Sequence, residues 1–176
     1  GAAERLPTSS LLHVAAEWAP AACLAALLDS ENASEVQDAM ATADSDGDGP
    51  LQRALAAGRA ENASLLLERG SPDAGEFRRP VPLGRRRGPP STLHDVVRAA
   101  ASHPRAKRGD YPGCVRLLLQ AGGRPIDQKD SAGRTPLVLA AELGCGARLV
   151  SELLRRRARP DVVDKSTGAT RRWRRR

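Results

Sequence analysis

The chain has 176 residues, enough for one ordinary domain or a short repeat array; 40% are apolar, but only Trp18, Phe77, Tyr111 and Trp173 are aromatic. Its formal net charge of +7 is uneven: residues 1–77 carry −9, 78–109 carry +8, 110–154 carry 0 and 155–176 carry +8. Apolar stretches such as Ala21 to Leu28 are far too short to span a bilayer, and no secretory-signal core stands at the N-terminus, so neither a transmembrane nor a secreted class is expected.

A core of this composition must come from Leu, Val and Ala, which favours close-packed helices. From the N-terminus, residues 10–28 read Ser-Leu-Leu-His-Val-Ala-Ala, then Cys23, Leu24, Leu27 and Leu28. That spacing predicts two short amphipathic helices. Ser30 to Ala43 is a connection in which Glu35 to Ala41 adds a short helical turn. Residues 44–71 read Asp-Ser-Asp-Gly-Asp-Gly-Pro-Leu-Gln-Arg-Ala-Leu, then Gly58, then Leu65-Leu66-Leu67-Glu68-Arg69-Gly70. A turn, a helix, a break and a second helix follow from that order. Pro72 to Pro90 is rich in Pro, Gly and Arg and reads as a loop. Residues 91–122 give Ser-Thr-Leu-His-Asp-Val-Val and then Cys114-Val115-Arg116-Leu117-Leu118-Leu119, with a long loop expected from Ser102 to Gly113.

The unit from Asp130 is the clearest: Asp-Ser-Ala-Gly-Arg-Thr-Pro-Leu-Val-Leu-Ala-Ala-Glu-Leu-Gly. Asp130 to Gly133 make a tight turn, with Gly133 free to take positive φ. Thr135 can cap a helix whose first residue is Pro136, where the missing N–H is not needed. Leu137, Ala140 and Ala141 supply the apolar face, Gly144 ends the helix, and Leu149, Val150, Leu153 and Leu154 form the stripe of a second one. A further turn begins at Asp164 and departs into Arg171-Arg172-Trp173.

These units resemble the ankyrin repeat, whose signature leads from a Gly-ended turn into Thr-Pro-Leu-His-x-Ala-Ala. The resemblance implies an all-α solenoid of stacked antiparallel helix pairs. Repeats are expected at about 8–43, 44–71, 91–129 and 130–163, with an inserted loop at 72–90, a repeat domain over 1–170 and a basic tail at 171–176. It also implies that His13 and His94, at the His position of the signature, support turns by hydrogen bonding. Partners in this family bind the concave face of turns and first helices. Carried onto this sequence, that face includes Asp46, Asp48, Gln52, Arg53, Arg134, Val138 and Glu142, with Gly47, Ser131 and Ala132 at the turns.

Other constellations are weaker. Asp44-x-Asp46-x-Asp48-Gly49 resembles the start of a calcium loop, but position twelve is Leu55 where a bidentate Glu is required. Cys23, Cys114 and Cys145 form no CxxC pair, so reduced thiols are expected, with Cys23 and Cys114 buried on second helices. No nucleophile–base set, metal site or cofactor motif is expected. The basic set is Arg78, Arg79, Arg85, Arg86, Arg87, Arg105, Lys107 and Arg108 on the two loops, with Arg171, Arg172, Trp173 and Arg174 in the tail. Arg pairs with phosphates and Trp stacks on bases, so this set fits an acidic protein, RNA or an anionic membrane surface. The function expected is a non-catalytic interaction scaffold that joins a protein partner or a multi-subunit complex, with self-association left open. The alternative is a structural subunit of an organellar ribonucleoprotein. The compartment expected is intracellular and reducing: cytoplasm, nucleus or an organelle.

Overall fold

The computed structural model describes residues 8–29, 33–69, 92–102, 109–122 and 125–160. Among them there are nine helices and no strand: α1 Thr8–Trp18, α2 Ala21–Leu28, α3 Ala33–Ala41, α4 Pro50–Ala56, α5 Ala60–Glu68, α6 Thr92–Ser102, α7 Tyr111–Gly122, α8 Pro136–Glu142 and α9 Ala147–Arg155. First helices α1, α4, α6 and α8 pack in one row, and second helices α2, α5, α7 and α9 pack in another behind it. No helix among the described residues is long and apolar enough to cross a membrane.

The rows stack because one register repeats. Leu12, Leu51, Leu93 and Leu137 occupy equivalent positions on the four first helices, and all are buried. Each such side chain contributes about 1.5–3 kcal/mol when withdrawn from water. Three residues on, Ala15, Ala54, Val96 and Ala140 are also buried, and their small size lets successive helices approach. Helices of seven to twelve residues are marginal alone, so this packing sets their stability.

The helix ends follow the local chemistry expected of them. Thr135 accepts the Val138 N–H at the start of α8, and Pro136 takes the first position. Gly58 and Gly144 lie at φ +67° and +65°, where α4 and α8 end. There the Arg59 and Cys145 N–H groups reach back to the Ala54 and Ala140 carbonyls (2.8 and 2.9 Å), closing left-handed caps.

Several expectations need correction. The segment at 35–41 is a nine-residue helix, α3, because Val36, Ala39 and Met40 bury one face against α1 and α2. The loop expected over 102–113 is shorter, since α6 includes Ser102 and α7 starts at Tyr111. The Asp110 carboxylate accepts the Gly113 N–H (3.0 Å), and Pro112 falls in the first turn, where no N–H is needed. Ala141 and Leu154 are exposed and Val150 is half-buried, so only Leu149 and Leu153 form the buried stripe of α9. Cys23 is exposed, because Leu24 and Leu28 hold the buried row of α2 one position further round. Cys114 is buried, which pushes its thiol up to about 12.

Neighbouring repeats are also joined by polar contacts. The buried Asn62 amide donates to the Ala16 and Ala19 carbonyls (both 3.0 Å), and the Arg59 guanidinium donates to those of Trp18 (3.0 Å) and Ala19 (2.6 Å). The second repeat thus satisfies carbonyls that the end of α1 would leave open, with a cation at the negative end of the helix dipole. Between the second and third repeats, the buried Tyr111 hydroxyl donates to the Ala56 carbonyl (3.1 Å), and the Asp110 N–H donates to that of Gly58 (2.7 Å).

Candidate functional site: the turns and first helices

Two turns 86 residues apart are built alike. At 44–49, the Asp44 carboxylate accepts the N–H groups of Asp46 (2.8 Å) and Asp48 (3.0 Å), and Gly47 takes φ +81°. At 130–135, the Asp130 carboxylate accepts those of Ala132 and Arg134 (both 2.9 Å), and Gly133 takes φ +80°. A short Asp side chain suits this task because it reaches backbone N–H groups two and four residues on.

Each turn is held from the repeat before it. His13 Nε2 lies 3.0 Å from the Asp48 carbonyl, and His94 Nε2 lies 2.8 Å from that of Arg134. A carbonyl only accepts, so Nε2 carries the proton in both contacts. Burial lowers the His94 pKa, against the opposing hydrogen bond to Arg134, and favours the neutral ring. The role implied for these histidines by the sequence resemblance is the one they take, directed at the turn of the following repeat.

Arginines lock the same turns from the side. Arg53 pairs with Asp44 and with Asp46 (2.6 Å) and reaches toward Glu17 at 4.0 Å. Arg134 pairs with Asp130 (2.9 Å) and Glu142 (3.3 Å), while Arg98 joins Asp95 (3.1 Å) to Asp130 (3.2 Å). Partial burial would raise the pKa of both Asp44 and Asp130. Hydrogen bonds from Asp48 and Arg53 to Asp44, and from Arg134 and Ala132 to Asp130, overcome that and hold both carboxyls below their ordinary value. The bond to Asp130 raises the Arg134 pKa. Beside this row, His13, Val14, Glu17, Thr42, Ala43, Asp44 and Arg53 line a shallow groove of about 350 Å³.

The residues singled out from sequence fall on this surface in different settings. Asp46 and Glu142 are exposed and ion-paired. Arg53 and Arg134 are half-buried and occupied by their carboxylates, and Val138 is half-buried. Gln52 accepts the Gly49 N–H (2.9 Å) at the start of its own helix, and the Asp48 carbonyl is the one held by His13. Arg78, Arg79, Arg85, Arg86, Arg87, Arg105, Lys107, Arg108, Arg171, Arg172, Trp173 and Arg174 lie outside the described residues. Asp44, Asp130, Glu17 and Arg98 were not singled out as site residues. The repeated Asp-Ser-x-Gly spacing could have revealed the two aspartates, whereas Glu17 and Arg98 depend on contacts between repeats that no local pattern announces.

The ankyrin-repeat family model matches residues 132–165. None of the curated proteins compared matches the chain. Ankyrin repeats in general support protein–protein interaction and are non-catalytic modules. One ankyrin repeat is thus present in the chain, at 132–165, and the same turn, break and helix-pair geometry is built from Asp44 to Glu68.

Proposed function

We propose that the chain is a non-catalytic adaptor that binds a protein partner across its turns and first helices. The observation that carries this reading is the clamping of the 44–49 and 130–135 turns by histidines of the preceding repeat and by arginine–carboxylate pairs. A surface already fixed in this way loses little conformational freedom on binding. Within it, Asp46, Asp48, Arg53, Arg134 and Glu142 provide charge, Gln52 and Val138 lie between them, and the groove beside Val14 provides depth.

The test fills this surface without breaking its clamps. Ala43 and Ala132 are exposed, and their side chains make no hydrogen bond. An Ala43→Arg/Ala132→Arg variant should keep the helical circular dichroism of the wild type and lose its captured partner about tenfold or more. Equal recovery by wild type and variant would remove the assignment.

A second reading rests on the net +8 carried by each of residues 78–109 and 155–176. Under it the chain is a structural subunit of a ribonucleoprotein, with the Arg-rich segments on RNA phosphates. Retention would then fall steeply with salt and vanish after nuclease treatment. Retention that survives both would sink it.

A further inference from the structure

A second groove, of about 390 Å³, lies in the row of second helices, between α7 and α9. Its α9 wall carries Arg148, Ser151, Glu152 and Arg155 at i, i+3, i+4 and i+7, so all four share one face of that helix. Leu149 and Leu153 of the same helix are in the core, which fixes how this face is presented. Asp110, Pro112 and Arg116 line the groove from the α7 side.

Cations here outnumber the anions they pair with. The Glu152 side chain is only 6% exposed. It accepts one hydrogen bond from Arg155 (3.4 Å) and one from Arg156 (3.2 Å), and Arg116 stands 3.6 Å away. Three guanidiniums thus share one carboxylate, and each carries several N–H donors in a planar fork. Arg116 and Arg155 remain 49% and 77% exposed, so most of those donors are open to an incoming group. Arg148 and Ser151 are exposed, and neither side chain has a hydrogen bond or ion pair to a described residue. No side chain caps the start of α9, and no acidic residue stands in its first turn, where Ala147 and Arg148 line the groove. The positive end of that helix dipole therefore adds to the arginines. Across the groove, the Asp110 carboxylate is engaged by the Gly113 N–H at the start of α7.

We infer that this groove takes the carboxylate side chains of an acidic peptide segment from a protein partner. Arg148 and the open donors of Arg116 and Arg155 are its anchors, and the Ser151 hydroxyl is a further donor. Arginine forks pair side-on with planar carboxylates, and a groove already formed by two packed helices loses little freedom on binding. Two features favour separate carboxylates over a nucleic-acid strand. Asp110 and Glu152 lie in the groove and would repel a continuous run of phosphates, and none of the lining residues is an aromatic on which a base could stack. The groove belongs to the second helices, so it is separate from partner binding on the turns and first helices, and its test uses none of those residues.

The test is fluorescence anisotropy of the full chain with a labelled peptide of about ten residues in which Glu and Ser alternate. Wild type should bind it at micromolar concentration. Arg148→Ala removes an anchor, and Ser151→Glu sets one of the chain's own carboxylates beside Arg148 and Arg155. Each should weaken binding about tenfold while keeping the helical circular dichroism of the wild type. Arg172→Ala lowers the net charge by the same amount in the basic tail and should change binding less than about twofold. Groove variants that bind like wild type, or a tail variant that loses as much as they do, would overturn the inference. So would a single-stranded RNA of about ten nucleotides that loses affinity in the groove variants while the peptide does not.

Discussion

Gly58→Ala and Gly144→Ala impose the same backbone strain, and their comparison isolates the packing between the second and third repeats. Both glycines sit in the left-handed region, at φ +67° and +65°. An L side chain there costs about 1–2 kcal/mol. At Gly144 a Cβ would meet nothing within 4 Å, so that strain is the whole effect. At Gly58 a Cβ would stand 2.7 Å from the Gly109 Cα and 2.9 Å from the Tyr111 ring. That ring cannot swing away cheaply, being buried with its hydroxyl on the Ala56 carbonyl. Overpacking of this kind adds roughly 1–3 kcal/mol. Gly58→Ala should therefore destabilise by about 2–5 kcal/mol in total, against about 1–2 kcal/mol for Gly144→Ala. Urea unfolding followed by circular dichroism at 222 nm measures both. In a stacked array a weakened joint also uncouples its two sides, so the Gly58→Ala transition should broaden. Equal losses in the two variants, within about 0.5 kcal/mol, would refute the close-packed joint.

Arg157 also takes a left-handed conformation, φ +68°, where Gly58 and Gly144 end their helices. Arg157→Gly should raise stability by about 1 kcal/mol in the same urea assay, since the cap bond from the Ala158 N–H to the Leu153 carbonyl (3.0 Å) is retained. Asn62→Ala should cost about 1–3 kcal/mol by leaving the Ala16 and Ala19 carbonyls without that donor. The His94 pKa is lowered by folding from 6.5, so the unfolded chain takes up the proton more readily. Its contribution is present above about pH 6.5 and is lost as pH falls below that toward the folded value. Unfolding free energies should then drop more between pH 7 and pH 5 for wild type than for His94→Gln; parallel pH profiles would contradict the neutral buried ring.

Much of this fold was readable from the chain. Thr135 and Pro136 announce the start of α8, and Gly58 and Gly144 announce helix ends, because each acts through its own backbone. The leucine and alanine registers were readable for the same reason: helical period alone places them on one face. What escaped were properties set by neighbours. Whether Cys23 or Leu154 is covered depends on what packs beside it and not on its own helix. The extent of α3 follows from the surface that α1 and α2 offer to Val36, Ala39 and Met40. Within the site, the charges at Arg53 and Arg134 were evident, but their occupation by Asp44, Asp46, Asp130 and Glu142 was not. Those contacts convert residues that look available for a partner into ones that hold the surface in shape.

The chain's three lysines allow a direct test of where the partner sits. Lys129 is exposed immediately before the Asp130 turn, whereas Lys107 and Lys165 belong to the two strongly basic segments. Amine-reactive cross-linking of the captured, nuclease-treated assembly, read by mass spectrometry, should join the partner protein to Lys129. Cross-links confined to Lys107 and Lys165, with Lys129 modified but never joined to the partner, would contradict binding across the turns and first helices.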